Sequence, residues 1–362
     1  ILCVAAACHK KSHPADATRP PRSDDVRAES AFDLPVIPPS KLFQHELPEI
    51  RSLSNGMTVW YVYQPMLPLV SLRVMLNDGA AHDPIDKSGL SSMVASMLTE
   101  GANGKSAQQL SDEIESLGAV VKPGVLQDNS LIFVQALTQF FPQTLDILED
   151  IWLRPNLSQE SFDRLQKIAV SRLQQRADSP NDIAKLASYA AFFGENHPYG
   201  RSVDGYVSTV TAFTLEEVNA RYRTLFDPSR AAFMAVGNIP VDEFVKLLDD
   251  KFGKIEIKKL DASPALPAAR KPEKRLIIVD KPDAPQTIIR IYQLAVKSTS
   301  MKTLTWQFVN IPFGDSFTSR LNQNIREDKG FSYGAQASVI PLKEAGFLVS
   351  TSAVASEVTG AA

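Results

Sequence analysis

Apolar residues in the N-terminal two thirds of the chain follow two different periods. Runs with a two-residue period, rich in β-branched and aromatic residues, predict strands, whereas a period near 3.6 residues predicts amphipathic helices. The clearest helix follows Gly89, because the apolar residues between Leu90 and Leu98 recur on one helical face. The other predicted helices are Ala107–Leu117, Pro142–Leu153, Gln159–Arg176, Ile183–Phe193, Leu215–Leu225 and Val241–Phe252. The predicted strands are Val59–Tyr63, Leu69–Leu76, Ala119–Val125, Ser130–Leu137 and Arg230–Val236.

A second, shorter series of elements follows an interruption of this pattern. Residues 255–273 have no apolar period and contain several prolines and charges, which is typical of a linker between domains. The elements predicted beyond it are the strands Arg275–Val279 and Thr287–Ala295, the helices Met301–Phe308 and Ser316–Arg326, and the strands Phe331–Val339 and Gly346–Ser352. This order repeats the opening of the first series. We therefore predict an α+β protein of two tandem homologous α/β domains, residues 45–254 and 274–362. Each would have a mixed antiparallel sheet with helices on one side, and the second copy would be truncated.

The N-terminal segment has the character of an export signal followed by a tether. Residues 1–8 are an apolar stretch with small residues ahead of Cys8, which resembles the end of a bacterial lipoprotein signal. Residues 9–44 are polar and proline-rich, which predicts a flexible linker. We expect lipidation of Cys8, attachment to the membrane by the lipid anchor only, and a place in the bacterial cell envelope facing the periplasm. An ordinary secretory signal with an incidental cysteine stays open as the alternative.

Composition narrows the classes of protein that fit. Of 362 residues, 44% are hydrophobic and 22% charged, which excludes a disordered chain and fits two folded domains. The net charge of −3 gives no basic surplus, so we expect no nucleic-acid partner. No apolar run reaches the ~18 residues that span a bilayer. The two cysteines, Cys3 and Cys8, leave the folded body without disulfides or cysteine metal sites.

Four segments of the chain, in the same order, resemble the insulinase/pitrilysin family of metallopeptidases, in particular its bacterial branch similar to processing peptidases. The segments are Leu53–Val59, Lys87–Gly101, Phe193–Gly200 with Leu215–Tyr222, and Phe313–Gly334. The resemblance implies the fold of a clamshell half that closes around a peptide with a second half. It also implies a role in proteolysis.

The same resemblance implies that the zinc site is degenerate. In the family an inverted motif, H-x-x-E-H, places two zinc-binding histidines on one face of the first core helix, with the glutamate as general base. The matching positions here are Ser92, Ala95 and Ser96, and the third ligand, a glutamate on a later helix, corresponds to Arg172. Serine is a weak zinc ligand and alanine transfers no proton. We therefore expect no catalytic residue, metal or other cofactor in this chain.

A second substrate-handling feature of the family is retained. In active relatives an arginine and a tyrosine seven residues apart in the C-terminal half contact the substrate near the scissile carbonyl, and Arg326 and Tyr333 have this spacing. A guanidinium and a phenol both donate hydrogen bonds that stabilise an oxyanion. The alternative is a surface ion pair of Arg326 with Glu327 or Asp328, and packing of Tyr333 on a strand.

Three functional hypotheses follow from the resemblance. The favoured one is a non-catalytic, zinc-site-less subunit of a peptidase heterodimer, which contributes Arg326, Tyr333 and half of the peptide chamber. Its partner would be a homologous catalytic subunit with an intact zinc motif, so zinc is expected only there, and its substrate a peptide or unfolded protein. The alternatives are an active zinc metalloendopeptidase and a peptide-binding or scaffold protein without a proteolytic role.

Overall fold

The computed structural model describes residues 46–258, 265–269, 273–282 and 284–362, and Pro48–Ala362 form one compact unit. The predicted signal remnant, the lipidation site Cys8 and the whole of the predicted proline-rich linker lie outside the described residues. Among the described helices, none combines the length and the apolar character needed to cross a membrane.

The first half of the unit is built on a six-stranded sheet. The strands in chain order are β1 Glu49–Ser52, β2 Thr58–Tyr63, β3 Leu69–Leu76, β4 Gly101–Ala102, β5 Lys105–Ser106, β6 Val120–Val125, β7 Ser130–Leu137 and β8 Ala231–Gly237. The sheet order is β1-β2-β8-β3-β7-β6, while β4 and β5 form a separate short hairpin. β2 and β8 are parallel, and the other neighbours are antiparallel. This mixed sheet confirms the predicted fold class.

Helices of the first half begin and end close to the predicted positions. They are α1 Leu90–Met97, α2 Ala107–Ser116, α3 Phe141–Leu153, α4 Gln159–Ala177, α5 Pro180–Phe193, α6 Val207–Thr211, α7 Leu215–Leu225 and α8 Val241–Phe252. Local chemistry fixes several starts, because the side chains of Ser106, Ser158 and Thr214 accept hydrogen bonds from backbone N–H groups of the first turn. The short α6 lies in a stretch where no helix was predicted.

Apolar alternation along the central strand forms the main core. Every second residue of β3, from Val70 to Leu76, is fully buried, whereas the residues between them are more exposed. Tyr61 of β2 stacks on Phe244 of α8 with ring centroids 4.1 Å apart. Aromatic contacts of this kind add to the transfer free energy of the buried rings and fix α8 on the sheet.

The second half repeats part of this topology in a smaller sheet. Its strands are β9 Gln286–Ala295, β10 Ser332–Pro341 and β11 Gly346–Ala355, in the antiparallel order β10-β11-β9. The first sheet contains the same arrangement in β6-β7-β3. Two helices lie between β9 and β10, α9 Thr303–Asn310 and α10 Arg320–Asn322, each followed by a π-helical segment, Ile311–Asp315 and Gln323–Asp328.

Two predicted elements of the second half are wrong. Arg275–Val279 is not a strand, and its apolar side chains are exposed, with Leu276 at 86%. β-branched composition favours a strand only where a ladder partner is present, and in the described part of the chain this segment has none. The helix predicted at Ser316–Arg326 starts only at Arg320, because Ser319 caps it by accepting a hydrogen bond from Asn322 N–H.

Aromatic side chains join the two halves of the unit. Phe192 and Phe193 at the end of α5 pack with Tyr199 against Phe347 and Val349 of β11. The ring centroids of Phe193 and Phe347 are 5.7 Å apart in an edge-on contact. Helix α5 of the first half therefore covers part of the second sheet.

A hydrogen-bonded clasp reinforces this contact. The Tyr199 hydroxyl donates to Asp128 at 2.5 Å and accepts from the backbone N–H of Glu344 at 3.1 Å. Nδ1 of His197 accepts from Tyr199 N–H, so the neutral ring carries its proton on Nε2 and donates to the carbonyl of Pro267 at 2.9 Å. His197 is thus a structural residue.

Candidate functional site

An open groove of about 370 Å³ lies between α1 and β6. β6 is the edge strand of its sheet, so half of its backbone N–H and C=O groups face away from β7. The residues lining the groove are Ser92, Ala95, Ser96 and Thr99 on the helical side, Val121–Val125 on the strand side, and Asp204. The three degenerate motif positions of α1 therefore do lie together on one wall of a groove.

The two serines of this wall are committed to backbone carbonyl groups. Ser92 Oγ donates to the carbonyl of Val203 at 2.8 Å, and Ser96 Oγ donates to the carbonyl of Ser92 at 2.9 Å. Ala95 offers no polar atom. The wall therefore presents neither a proton acceptor of suitable basicity nor the imidazole and carboxylate ligands that zinc prefers.

Arg172 does not reach the groove. It is exposed on α4 and lines a separate shallow depression made entirely by neighbours on the same helix. The inner face of α4 carries Leu165, Ala169 and Leu173, which pack against the main core, and Arg172 lies at the edge of this face with its side chain exposed. The α4 cation beside the groove is Arg176 instead, whose Nη1 lies 2.5 Å from a carboxylate oxygen of Asp204.

A buried charge network holds the start of α1 in place. Asp83 accepts hydrogen bonds from Ser91 N–H at 3.1 Å and Ser91 Oγ at 2.5 Å, and so caps α1 from a distant turn. Arg221 of α7 binds Asp78 with two nitrogens, at 2.9 and 3.0 Å, and donates through Nε to Asp83 at 3.2 Å. The partners are 138 and 143 residues apart, so no local sequence pattern could reveal them.

The two carboxyl groups of the network differ in their proton affinity. Burial by itself raises the pKa of both. At Asp78 the hydrogen bonds and charges of His82 and Arg221 outweigh burial and lower the pKa to about 2. At Asp83 burial dominates over Ser91 and Arg221, and the pKa of this carboxyl is raised. Asp78 is therefore the firmly ionised partner of Arg221.

Histidines of the described body do not assemble into a metal site. His82 Nδ1 lies 3.1 Å from Asp78, and His197 belongs to the clasp. Within residues 46–258, 265–269, 273–282 and 284–362, no three His, Cys, Asp or Glu side chains are grouped closely enough to hold a metal ion. The full sequence also contains no H-x-x-E-H.

Arg326 and Tyr333 lie in the second half and do not line the groove. The guanidinium carbon of Arg326 lies 4.5 Å from the ring centroid of Phe317, and its Nε lies 3.3 Å from Glu327. The ion pair with Glu327 is the alternative that the sequence left open, and the Arg326 side chain donates no hydrogen bond to another described residue. Tyr333 is 92% exposed and does not pack on the strand.

A β-bulge turns Tyr333 outward. The register of β10 against β11 shifts between Ser332 and Ala335, which leaves Tyr333 and Gly334 outside the ladder. The buried amide of Asn322 donates to the carbonyl of Phe317 at 2.7 Å and accepts from Ala335 N–H at 3.1 Å. Asn322 thereby ties the turn that carries Phe317 to the bulge. Bulges re-aim side chains in this way, and no sequence pattern predicted this one.

The chain is similar to peptidase-family proteins along most of its length. The model of the insulinase family (peptidase family M16) matches residues 58–204, and that of the peptidase M16 inactive domain matches residues 212–361. An uncharacterized zinc protease of Bacillus subtilis, YmxG, is 23% identical over 297 residues, which cover 81% of this chain and 70% of that protein.

Solved structures show the same fold. The peptidase M16 inactive domain from Pseudomonas fluorescens superposes with a TM-score of 0.79 at 20% identity, covering 86% of this chain and 75% of that one. A protease from Helicobacter pylori superposes with a TM-score of 0.76 at 16% identity, covering 85% and 76%.

Proposed function

Because this chain belongs to the insulinase family, peptidase family M16, we propose that it is a non-catalytic subunit of a peptidase heterodimer. It binds a peptide or unfolded protein and contributes half of the peptide chamber. A homologous partner subunit with an intact zinc motif carries the metal and the chemistry. Arg326 and Tyr333 of this chain contact the substrate that is held between the two subunits.

The observation that carries the proposal is the groove between α1 and β6, whose α1 wall has no zinc ligand and no general base. The wall lines an open groove, but the hydroxyls of Ser92 and Ser96 donate to backbone carbonyl groups and the Ala95 side chain has no polar atom. These residues do not fit zinc.

The edge strand gives the groove a means of holding a peptide. An extended peptide can add to the free edge of β6 through main-chain hydrogen bonds, a mode that is largely independent of sequence. Lys122 and Asp204 place one charge of each sign at the groove. The groove therefore suits unfolded segments of mixed sequence better than one small ligand.

The exposure of Arg326 and Tyr333 supports the proposal that these two residues contact the substrate. Each has polar atoms that take no part in stabilising the fold. These are the Nη atoms of Arg326 and the hydroxyl of the exposed Tyr333. A guanidinium fork and a phenol suit a carbonyl oxygen that gains negative charge.

Filling the groove tests the peptide site. The probe is fluorescein-labelled, unfolded casein, and its binding to the purified chain is measured by fluorescence anisotropy. Ser96→Trp fills the groove from an exposed position and should weaken binding at least about tenfold, while Ser171→Trp, exposed on α4 outside the groove, serves as the matched control. Equal binding by wild type and Ser96→Trp would refute the groove as the site.

Metal content separates the proposal from an active zinc metalloendopeptidase, the alternative that the name of the Bacillus subtilis relative favours. We expect no stoichiometric zinc by elemental analysis of the purified protein at neutral pH. One chelator-removable zinc per chain would overturn the non-catalytic reading.

Reconstitution with a catalytic partner distinguishes a subunit that contributes Arg326 and Tyr333 to cleavage from a scaffold without a proteolytic role. The chain is combined with an insulinase-family protein of the same cell that carries H-x-x-E-H. Arg326→Ala or Tyr333→Phe should lower kcat of the pair by about 10²–10³-fold while assembly is unchanged. Unchanged cleavage with both residues replaced would leave the scaffold role.

We also propose attachment to the cell envelope through Cys8, on the periplasmic side. The support is the sequence of residues 1–8 alone. Metabolic labelling with a radioactive fatty acid tests it, because a Cys8→Ser variant expressed with its full signal should lose the label. Retention of the label would exclude Cys8 as the lipidated residue.

A further inference from the structure

The surroundings of Arg326 contain an aromatic ring whose exposure needs an explanation. Phe317 is 65% exposed, although a phenylalanine side chain gains most from burial. One face of this ring is covered by the guanidinium of Arg326 at 4.5 Å. The ring therefore contributes to the surface as a platform for a cation and adds little to the core.

We infer that Phe317 is a positioning residue that holds the Arg326 guanidinium flat and aims its Nη atoms at a carboxylate or carbonyl oxygen of the substrate. The inference rests on the proposed function, since it concerns the same arginine. A free arginine side chain has several rotatable bonds, and stacking on a ring restricts them before the ligand arrives. Less side-chain entropy is then lost on binding.

The position of the ring is itself fixed by the fold. The carbonyl of Phe317 accepts from the buried amide of Asn322, and the other end of that amide holds the backbone of Ala335. The start of the bulge that carries Tyr333 is two residues away from Ala335. The Asn322 amide thus links Phe317, which contacts Arg326, to the strand beside the bulge that carries Tyr333.

Glu327 completes the arrangement without competing for the ligand. Its carboxylate lies 3.3 Å from Nε of Arg326, so the ion pair is made at the Nε end of the guanidinium. An aromatic ring against one face and a carboxylate at Nε leave an edge with two N–H donors. That edge matches the two oxygens of a carboxylate or the single oxygen of a peptide carbonyl.

The test compares ring and non-ring variants in the full chain. With the labelled unfolded casein as probe, Phe317→Leu should weaken binding about two- to fivefold, the value of an exposed cation–π contact, and Phe317→Tyr should restore it. In the Arg326→Ala background, Phe317→Leu should cause no further loss. In protein labelled with ¹⁵N-arginine, the Arg326 Nε–H signal should carry a ring-current shift that Phe317→Leu removes and Phe317→Tyr retains.

The outcomes distinguish this inference from the function it rests on. Weakened casein binding by Arg326→Ala together with wild-type binding by Phe317→Leu would overturn the positioning role alone. Losses that multiply in the double variant would also overturn it, because they would show that Phe317 acts independently of Arg326. Wild-type binding by Arg326→Ala would overturn both the positioning role and the binding role proposed for the arginine.

Discussion

Replacing Arg221 by methionine should destabilise the protein more than replacing any other single charged residue of the first half. The guanidinium donates six hydrogen bonds: two to Asp78, one each to Asp83 and Ser91 through Nε, one to the carbonyl of Gly79 and one to the hydroxyl of Thr224. The Asp78 and Asp83 side chains are only 6% and 1% exposed. Methionine keeps much of the volume but leaves two buried carboxyl groups without their cation.

The expected magnitude follows from the asymmetry of buried ion pairs. Removing one partner leaves an uncompensated buried charge, which typically costs about 3–5 kcal/mol, whereas surface pairs contribute about 1 kcal/mol or less. Asp83 softens the loss, because burial already raises its pKa and it can take up a proton. Asp78 loses the hydrogen bonds and charge of Arg221 that offset its burial. We therefore expect a loss of about 3 kcal/mol in the free energy of unfolding.

Urea unfolding followed by tryptophan fluorescence and circular dichroism measures the loss. Arg223→Met is the matched control, since Arg223 lies two residues further along α7 and is exposed. We expect a change within about 0.5 kcal/mol there. If Arg221→Met lost no more stability than this control at an unchanged m-value, the network would contribute nothing and the reasoning would be refuted.

Three further predictions concern the same molecule. Because the pKa of Asp78 falls from 3.8 to about 2 on folding, its ionised form stabilises the protein by about 2 kcal/mol above pH ~4, and this stabilisation is lost as the pH falls towards 2. Asp78→Asn should flatten the pH dependence of the free energy of unfolding in urea over that window, and an unchanged slope would contradict this. Tyr199→Phe removes a hydroxyl that forms hydrogen bonds with both halves. It should lower the free energy of unfolding by about 1–3 kcal/mol and speed amide hydrogen exchange at Glu344. Unchanged exchange at Glu344 would contradict this. Histidines at Ser92 and Ser96 should not create casein cleavage in the isolated chain, because the base and third ligand are missing; chelator-sensitive cleavage would show otherwise.

Local patterns determined the elements of the first half. The helix from Leu90 and the strand Ser130–Leu137 were predicted almost to the residue, because an apolar period is a property of neighbouring positions and is fixed before any tertiary contact forms. The α1 wall of the groove, which has no zinc ligand and no general base, also follows from local spacing. Helical spacing alone places Ser92, Ala95 and Ser96 on one face of α1, whatever packs against it.

Tertiary contacts decided where Arg172, Arg275–Val279 and Arg221 belong. Arg172 is matched to the family ligand by its spacing along the chain, but the packing of α4 leaves its side chain exposed, and Arg176 pairs with Asp204 of the groove. Arg275–Val279 has the composition of a strand, yet a strand exists only where another backbone supplies its hydrogen bonds.

Arg221 and the bulge at Tyr333 depend on partners far away in sequence. The carboxylates that bind Arg221 precede it by more than a hundred residues, and the amide that braces the bulge belongs to another element, at Asn322. The energy of a buried ion pair or of a bulge depends on distances and burial set by the packed fold. Sequence spacing carries periodicity along one element, but it carries no information about the separation of two elements in space.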